Sequence, residues 1–168
     1  MRPIIRFETP EDVEDIHALT AAAFLNAPHT DHTEQFVVDA LRSAGALTIS
    51  LVAEEGAKIV GHVALSPVSI SDGSSGWFGL GPISVSPEHQ GKGIGTMLMN
   101  RAIQLLQEQG ASGCVLLGEP GYYSRFGFKP KRGLVLADVP PEYFQALPFS
   151  SFIPLGSVTY HQAFSARG

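Results

Sequence analysis

The run Gln90-Gly91-Lys92-Gly93-Ile94-Gly95 lies between a strand-like stretch, Gly81-Pro82-Ile83-Ser84-Val85, and a strongly amphipathic helical pattern. Glycines let the main chain curl closely around phosphate oxygens. A helix start adds unpaired N–H donors and the positive end of the dipole. The order strand, glycine-rich turn, helix therefore predicts a pyrophosphate site. Spacing excludes two well-known phosphate loops. A P-loop needs Ser or Thr after its Gly-Lys pair and a Gly five positions before that pair's Gly, where this chain has Gly93 and Ser86. A dinucleotide fingerprint read from Gly91 meets Thr96 where its third Gly should stand.

What does match is Gln-x-x-Gly-x-Gly, carried by Gln90, Gly93 and Gly95. Further on, Tyr123-Ser-Arg-Phe-Gly127-Phe128 reproduces a Tyr-x-x-x-Gly-Phe signature. In these two motifs, spanning roughly residues 80 to 130, the chain resembles the GNAT N-acetyltransferase superfamily. Its stretch Gly118 to Phe128 and its Val158 to His161 strand are similar to those of a bacterial subgroup. The resemblance implies a mixed α/β fold: a mostly antiparallel central sheet of about seven strands flanked by helices, with strands four and five splayed to admit a pantetheine arm. It implies acetyl-CoA as cosubstrate. Cofactor contacts would come from Ile83, Ser84, Val85, Gln90, Gly91, Lys92, Gly93, Ile94, Gly95, Thr96, Tyr122, Arg125 and Phe126. One departure stands out: the better-known pattern has Asn and Ala seven and four residues before the Tyr, and here Leu116 and Glu119 stand there.

The rest of the chain reads as one domain of 168 residues, long enough to bury about 70% of its unfolded surface. Pro3 to Phe7 reads as a strand, and Thr9-Pro10-Glu11-Asp12 starts a helix running to about Phe24. Phe36, Val37, Ala40 and Leu41 mark a second helix. The loop from Asn26 to Asp31 between them is a candidate acceptor contact by resemblance alone. Residues 47–54 and 58–70 read as a hairpin, followed by a strand over 77–85 interrupted by Gly79, Gly81 and Pro82, as at a bulge. A helix over 93–109, stopped by Gly110, should bury Ile94, Met97, Leu98, Ala102, Leu105 and Leu106. Cys114 to Leu117 suits a strand covered on both faces. After Pro140-Pro141 a connecting helix or loop leads to a last strand over 158–164.

The net charge of −5 argues against nucleic acid, which usually requires a basic face. No stretch reaches the ~20 apolar residues of a membrane span, and no signal-peptide core opens the chain, so a cytoplasmic protein is expected, with monomer and homodimer both open. Coenzyme A is a polyanion, so an acidic chain must bind it through local donors such as the amides of residues 91–96. Lys92 and Arg125 either add charge there or are solvated cations. Cys114 reads as a small buried hydrophobe.

Acetyl transfer to an amine needs a neutral amine, an oxyanion donor and protonation of the departing thiolate. A main-chain N–H near Ile83 is the expected oxyanion donor, because a bulge leaves amides unpaired. Tyr123 matches the superfamily's general acid, with Tyr122 as a neighbour able to substitute or simply to pack. The base is open: Glu119, either catalytic or structural, comes first, with Glu54 and His62 as further options. His29-x-x-His32 with Asp31 lacks a second ligand pair, so no metal is expected. His89 reads as a solvated turn residue, and His17 and His161 carry no distinguishing context. The acceptor is a small-molecule or protein amine. Two alternatives are a non-catalytic acetyl-CoA sensor and transfer of a longer acyl chain.

Overall fold

The computed structural model describes residues 2–28 and 30–168. Along the chain run β1 (Ile4–Phe7), α1 (Val13–Phe24), α2 (Glu34–Ser43), β2 (Ile49–Glu55), β3 (Lys58–Ile70), β4 (Trp77–Val85) and α3 (Ile94–Glu108). They are followed by β5 (Gly113–Leu117), the single-turn α4 (Pro120–Tyr123), β6 (Leu134–Val135), β7 (Phe144–Pro148) and β8 (Gly156–Tyr160). Among the described residues eight strands form a mixed, mostly antiparallel sheet flanked by helices, with main order β1-β2-β3-β4-β5-β7. The exceptions are the parallel pairs β4 with β5 and β6 with β8. The backbone divides into two compact units, Met1–Ser66 with Gly81–Ala102 and Gln162–Gly168, and Pro67–Leu80 with Ile103–His161.

In the first unit β2 pairs antiparallel with β1 and with β3, from Ile49↔Leu65 to Glu55↔Lys58. Val52 of this sheet packs against Ile16 and Leu19 of α1 and Val38 of α2. Those helices form because their apolar residues recur at helical spacing, which gives each one buried stripe. The entry to α1 is a 3₁₀ turn over Pro10–Asp12, where the Asp12 carboxylate accepts the Thr9 N–H at 2.7 Å. The same carboxylate takes two bonds from the Arg6 guanidinium, of 2.7 and 3.0 Å, and this holds it well down, near pH 2.

A polar chain crosses the sheet beneath α2. Arg42 grips Glu8 through Nε and Nη2, both at 2.8 Å, and the Ser50 hydroxyl donates to Glu8. Ser50 in turn lies 2.7 Å from Nε2 of the fully buried His62. Because Ser50 spends its proton on the carboxylate, His62 carries hydrogen on Nε2 and donates it to the Ser50 oxygen. Burial pushes its pKa down to about 4; the Glu8 charge opposes that shift and Arg42 assists it. As pH falls below the ordinary 6.5, the unfolded chain takes up a proton that the folded one refuses. Stability should therefore drop by about 3 kcal/mol between pH 6.5 and 4. Glu8 is also held below its ordinary value: burial raises it, but the Arg42 and Ser50 bonds outweigh burial, so a further loss follows under pH 4.5. Urea titrations across this range should show the first slope in wild type and lose it in His62→Gln.

In the second unit β5 lies between β4 and β7, with Cys114 opposite Phe78 on one side and Leu147 on the other. That double pairing covers both edges of the strand, Gly113 to Leu116 are buried as their apolar run requires, and burial pushes the Cys114 thiol up. Trp77 fills the core with Ile70, Val115, Phe144 and Val158. Its indole lies over Gly113, where a Cβ would sit inside the ring's contact distance. Gly113→Ala should therefore destabilise the protein by about 3 kcal/mol, read as a shift in the urea midpoint at unchanged m-value.

Where the sequence predicts a connecting helix or loop, residues 144–148 form the antiparallel strand β7. The last strand also differs, covering 156–160, with Gln162–Ser165 in a 3₁₀ turn. On α3, Met99 is buried and Met97 only half-buried. The β4–β5 ladder ends at Gly79↔Val115, short of Leu116 and Leu117.

Candidate active site

In the first unit, the end of β4 leads through a 3₁₀ turn, Pro87–His89, into the glycine-rich loop and α3. The Ser86 N–H donates to Val60 C=O at 2.8 Å, which ties the loop's root to β3. The Gln90 side-chain amide returns to Val85 C=O at 3.1 Å and closes the loop on its own strand. Gly91 and Gly93 adopt left-handed φ of +78° and +84°, with open space where a Cβ would stand. Helical bonding begins with Met97 N–H to Gly93 C=O at 3.1 Å, so the amides of Gly93, Ile94, Gly95 and Thr96 precede the ladder. Ile94 is buried and anchors the first turn, while Gln90 to Gly93 are exposed. Room for a bulky anion, amides that precede the helical ladder and the dipole's positive end thus coincide. Ser84 is buried on β4, with Ile83 and Val85 half-buried beside it. Lys92 is exposed.

His89 departs from the expectation of a solvated turn residue. Its Nε2 lies 3.0 Å from Glu55 Oε2, which fastens the loop to the end of β2. Glu54 is likewise engaged, accepting from Arg6 Nε at 3.2 Å.

In the second unit, β5 ends at Leu117 and the chain turns through Gly118 and Glu119 into α4. The N–H groups of Tyr122 and Tyr123 both bond Glu119 C=O at 3.1 Å. Glu119 thus starts this turn through its backbone, and its side chain is exposed without capping it. Tyr123 lies with its ring over Gly118, so closely that a Cβ there would collide with it. Gly118 is itself pinned: its N–H bonds Tyr143 C=O, and its C=O accepts from the buried Gln145 side chain, both at 2.9 Å. Gly118 seats the Tyr123 ring and Gln145 holds Gly118, contacts that the motif alone did not reveal, although the Gly-x-Pro-x-Tyr-Tyr spacing contains the first of them.

Tyr122 meets Tyr123 edge-on at 4.8 Å between ring centroids, and Phe126 at 5.7 Å. Arg125 is held on its own turn, with Nε on Tyr122 C=O at 2.9 Å and the guanidinium 4.5 Å above the Tyr122 ring. Gly127, at φ +96°, ends the turn and sends Phe128 into the core. Burial, with a smaller contribution from Tyr122, pushes the Tyr123 hydroxyl up to about 12, so it keeps its proton at any physiological pH.

His62 lies in the buried chain beneath α2 described above, fully enclosed. His29 lies outside the described residues. Among the described residues no group of three or more His, Cys, Asp or Glu is arranged to hold a metal, and no helix is long and apolar enough to cross a membrane.

A family model described as an acetyltransferase (GNAT) domain matches residues 4–130. The chain is 36% identical over 127 residues to the uncharacterized N-acetyltransferase YhbS of Escherichia coli K12, covering 75% of this chain and 73% of that protein. Two solved structures share the whole architecture. One is a GNAT family acetyltransferase from Brucella melitensis in complex with acetyl-CoA: 47% identity, TM-score 0.87, and 97% and 98% of the two chains covered. The other is E. coli YhbS in complex with CoA: 32% identity, TM-score 0.90, and 100% and 94% covered. With a domain match across three quarters of its length and relatives of this identity, the chain is a member of the GNAT acetyltransferase family.

Proposed function

We propose that this acetyltransferase moves the acetyl group of acetyl-CoA directly onto a primary amine of a small molecule or a protein. The observation that carries the cosubstrate is the loop at Gln90–Thr96, with two left-handed glycines and the open start of α3. Relatives solved with acetyl-CoA and with CoA support it. The loop amides hold the pyrophosphate, and Gln90 keeps the loop closed on β4. Ile83, Ser84 and Val85 line the path of the pantetheine arm, and the Ile83 N–H receives the charge that develops on the thioester oxygen. Lys92 supplies a solvent-side charge to the phosphates. Tyr122, Arg125 and Phe126 form the cofactor-facing side of the tyrosine turn.

In this assignment the amine nitrogen attacks the thioester carbon, the C–S bond breaks, and the products are an amide and the free thiol of CoA. Tyr123 is the donor to the leaving sulfur. With a pKa near 12 it is a weak acid toward a thiolate of pKa about 8.5. Its contribution is a hydrogen bond that strengthens as charge builds, and full proton delivery needs close contact. Glu119 is exposed beside the turn, the property expected of a group that exchanges protons with an incoming ammonium through water. Its carboxylate is therefore kept as the candidate base. Two elements complete the proposal: the cytoplasm as the compartment, and a monomer or homodimer as the state. Thiol release from acetyl-CoA across a broad amine panel tests the reaction. CoA binding without release for any small or peptide amine would reduce the chain to a sensor, and a preference for longer acyl-CoAs would change the donor.

A further inference from the structure

We propose that the cavity beneath residues 130–144 binds a small carboxylate with a compact apolar body, such as a medium-chain fatty acid. The cavity, about 370 Å³, is lined by Leu134, Leu136, Val139 and Phe144 together with Lys131 and Arg132. That volume lies in the range of small-molecule sites, roughly 300–1,000 Å³. Leu134 and Phe144 are almost fully buried, so the depth of the cavity is hydrocarbon. Arg132 is exposed and Lys131 half-buried. Among the described residues neither cation has a carboxylate within ion-pair distance. The acids of the same segment, Asp138 and Glu142, do not line the cavity. The chain has 16 acidic and 11 basic side chains, yet three of the 11 fall within residues 129–132. Hydrocarbon below and unpaired positive charge above is the complement of a fatty carboxylate, whose tail leaves water while its head gains charge-assisted bonds.

The cavity borders the tyrosine turn. Phe144 pairs with Leu117, the residue before the Gly118 on which Tyr123 rests. The assignment stands on this cavity alone and does not depend on the acetyl-transfer reaction. Titration of the whole protein with octanoate, followed by NMR, should shift Leu134, Val139 and Phe144 saturably. Octanamide, the neutral counterpart, should bind at least fivefold more weakly. Lys131→Ala with Arg132→Ala removes both charges and leaves the apolar lining in place, and should erase the difference between acid and amide. Leu136→Trp fills the cavity and should abolish binding of both. The proposal is overturned if octanoate gives no saturable shifts up to about 10 mM. It is equally overturned if acid and amide bind alike, or if the double variant still prefers the acid.

Discussion

Tyr123→Phe should lower kcat for acetyl transfer by about 10²-fold and leave CoA affinity within about a factor of two. The phenyl ring still fits against Gly118 and keeps its edge contact with Tyr122, so the turn should retain its shape. What disappears is one O–H donor. A donor that acts only as charge develops on sulfur contributes to kcat and not to ground-state binding. The pH profile provides an independent check. With the hydroxyl pushed up to about 12, wild-type activity should show no alkaline fall from this group below about pH 11. A full-rate Phe variant would remove Tyr123 from the chemistry. An alkaline limb near pH 9 that vanishes in the variant would show that the bound cofactor drags its pKa down. The contrasting change Gly118→Ala keeps the hydroxyl but drives a methyl into its ring. It should lower kcat by displacing the donor, with the same sparing of CoA affinity.

Gly93→Asp should weaken CoA binding by more than 100-fold while the protein remains folded. Crowding within the protein is not the cause, since a Cβ at this position meets nothing within 4 Å. Nor is the backbone the main obstacle, because Asp tolerates the left-handed region better than most residues. The effect is electrostatic: a carboxylate put where amides and helix dipole favour an anion repels the diphosphate itself. Gly93→Ala separates the two contributions. It adds the left-handed strain, about 1–2 kcal/mol, and a methyl beside the phosphate but no charge, and should weaken binding by roughly tenfold if the loop must hold φ near +84°. Isothermal titration with CoA measures both. Equal affinities for wild type and the Asp variant would move the phosphate site away from this loop.

The loop and helix α3 were legible because their signals are local: glycines at fixed spacing, then an apolar stripe at helical period. The tyrosine turn was legible as a motif but not as a mechanism of positioning. Gln145, which holds Gly118, sits 27 residues downstream on a strand where the sequence predicts a connecting helix or loop. That strand hides for a physical reason. Phe144-Gln145-Ala146-Leu147-Pro148 buries its polar member and ends in proline, so no alternation marks it, and its pairing partner β5 lies about thirty residues earlier. The ion-pair geometry of His89 is hidden from the sequence for the same cause, since Glu55 is 34 positions away. The chain Arg42, Glu8, Ser50 and His62 draws on four segments that composition and periodicity cannot bring together.

Trp77 is the sole tryptophan of the chain, sealed at 1% exposure above Gly113 in the second unit. Emission excited at long wavelength is therefore an optical reporter of that unit alone. A denaturation curve followed by fluorescence would sense its core coming apart, whereas circular dichroism averages every helix. Agreement of the two traces would demonstrate that both halves melt as one cooperative body, and divergence would reveal an intermediate with one half already lost.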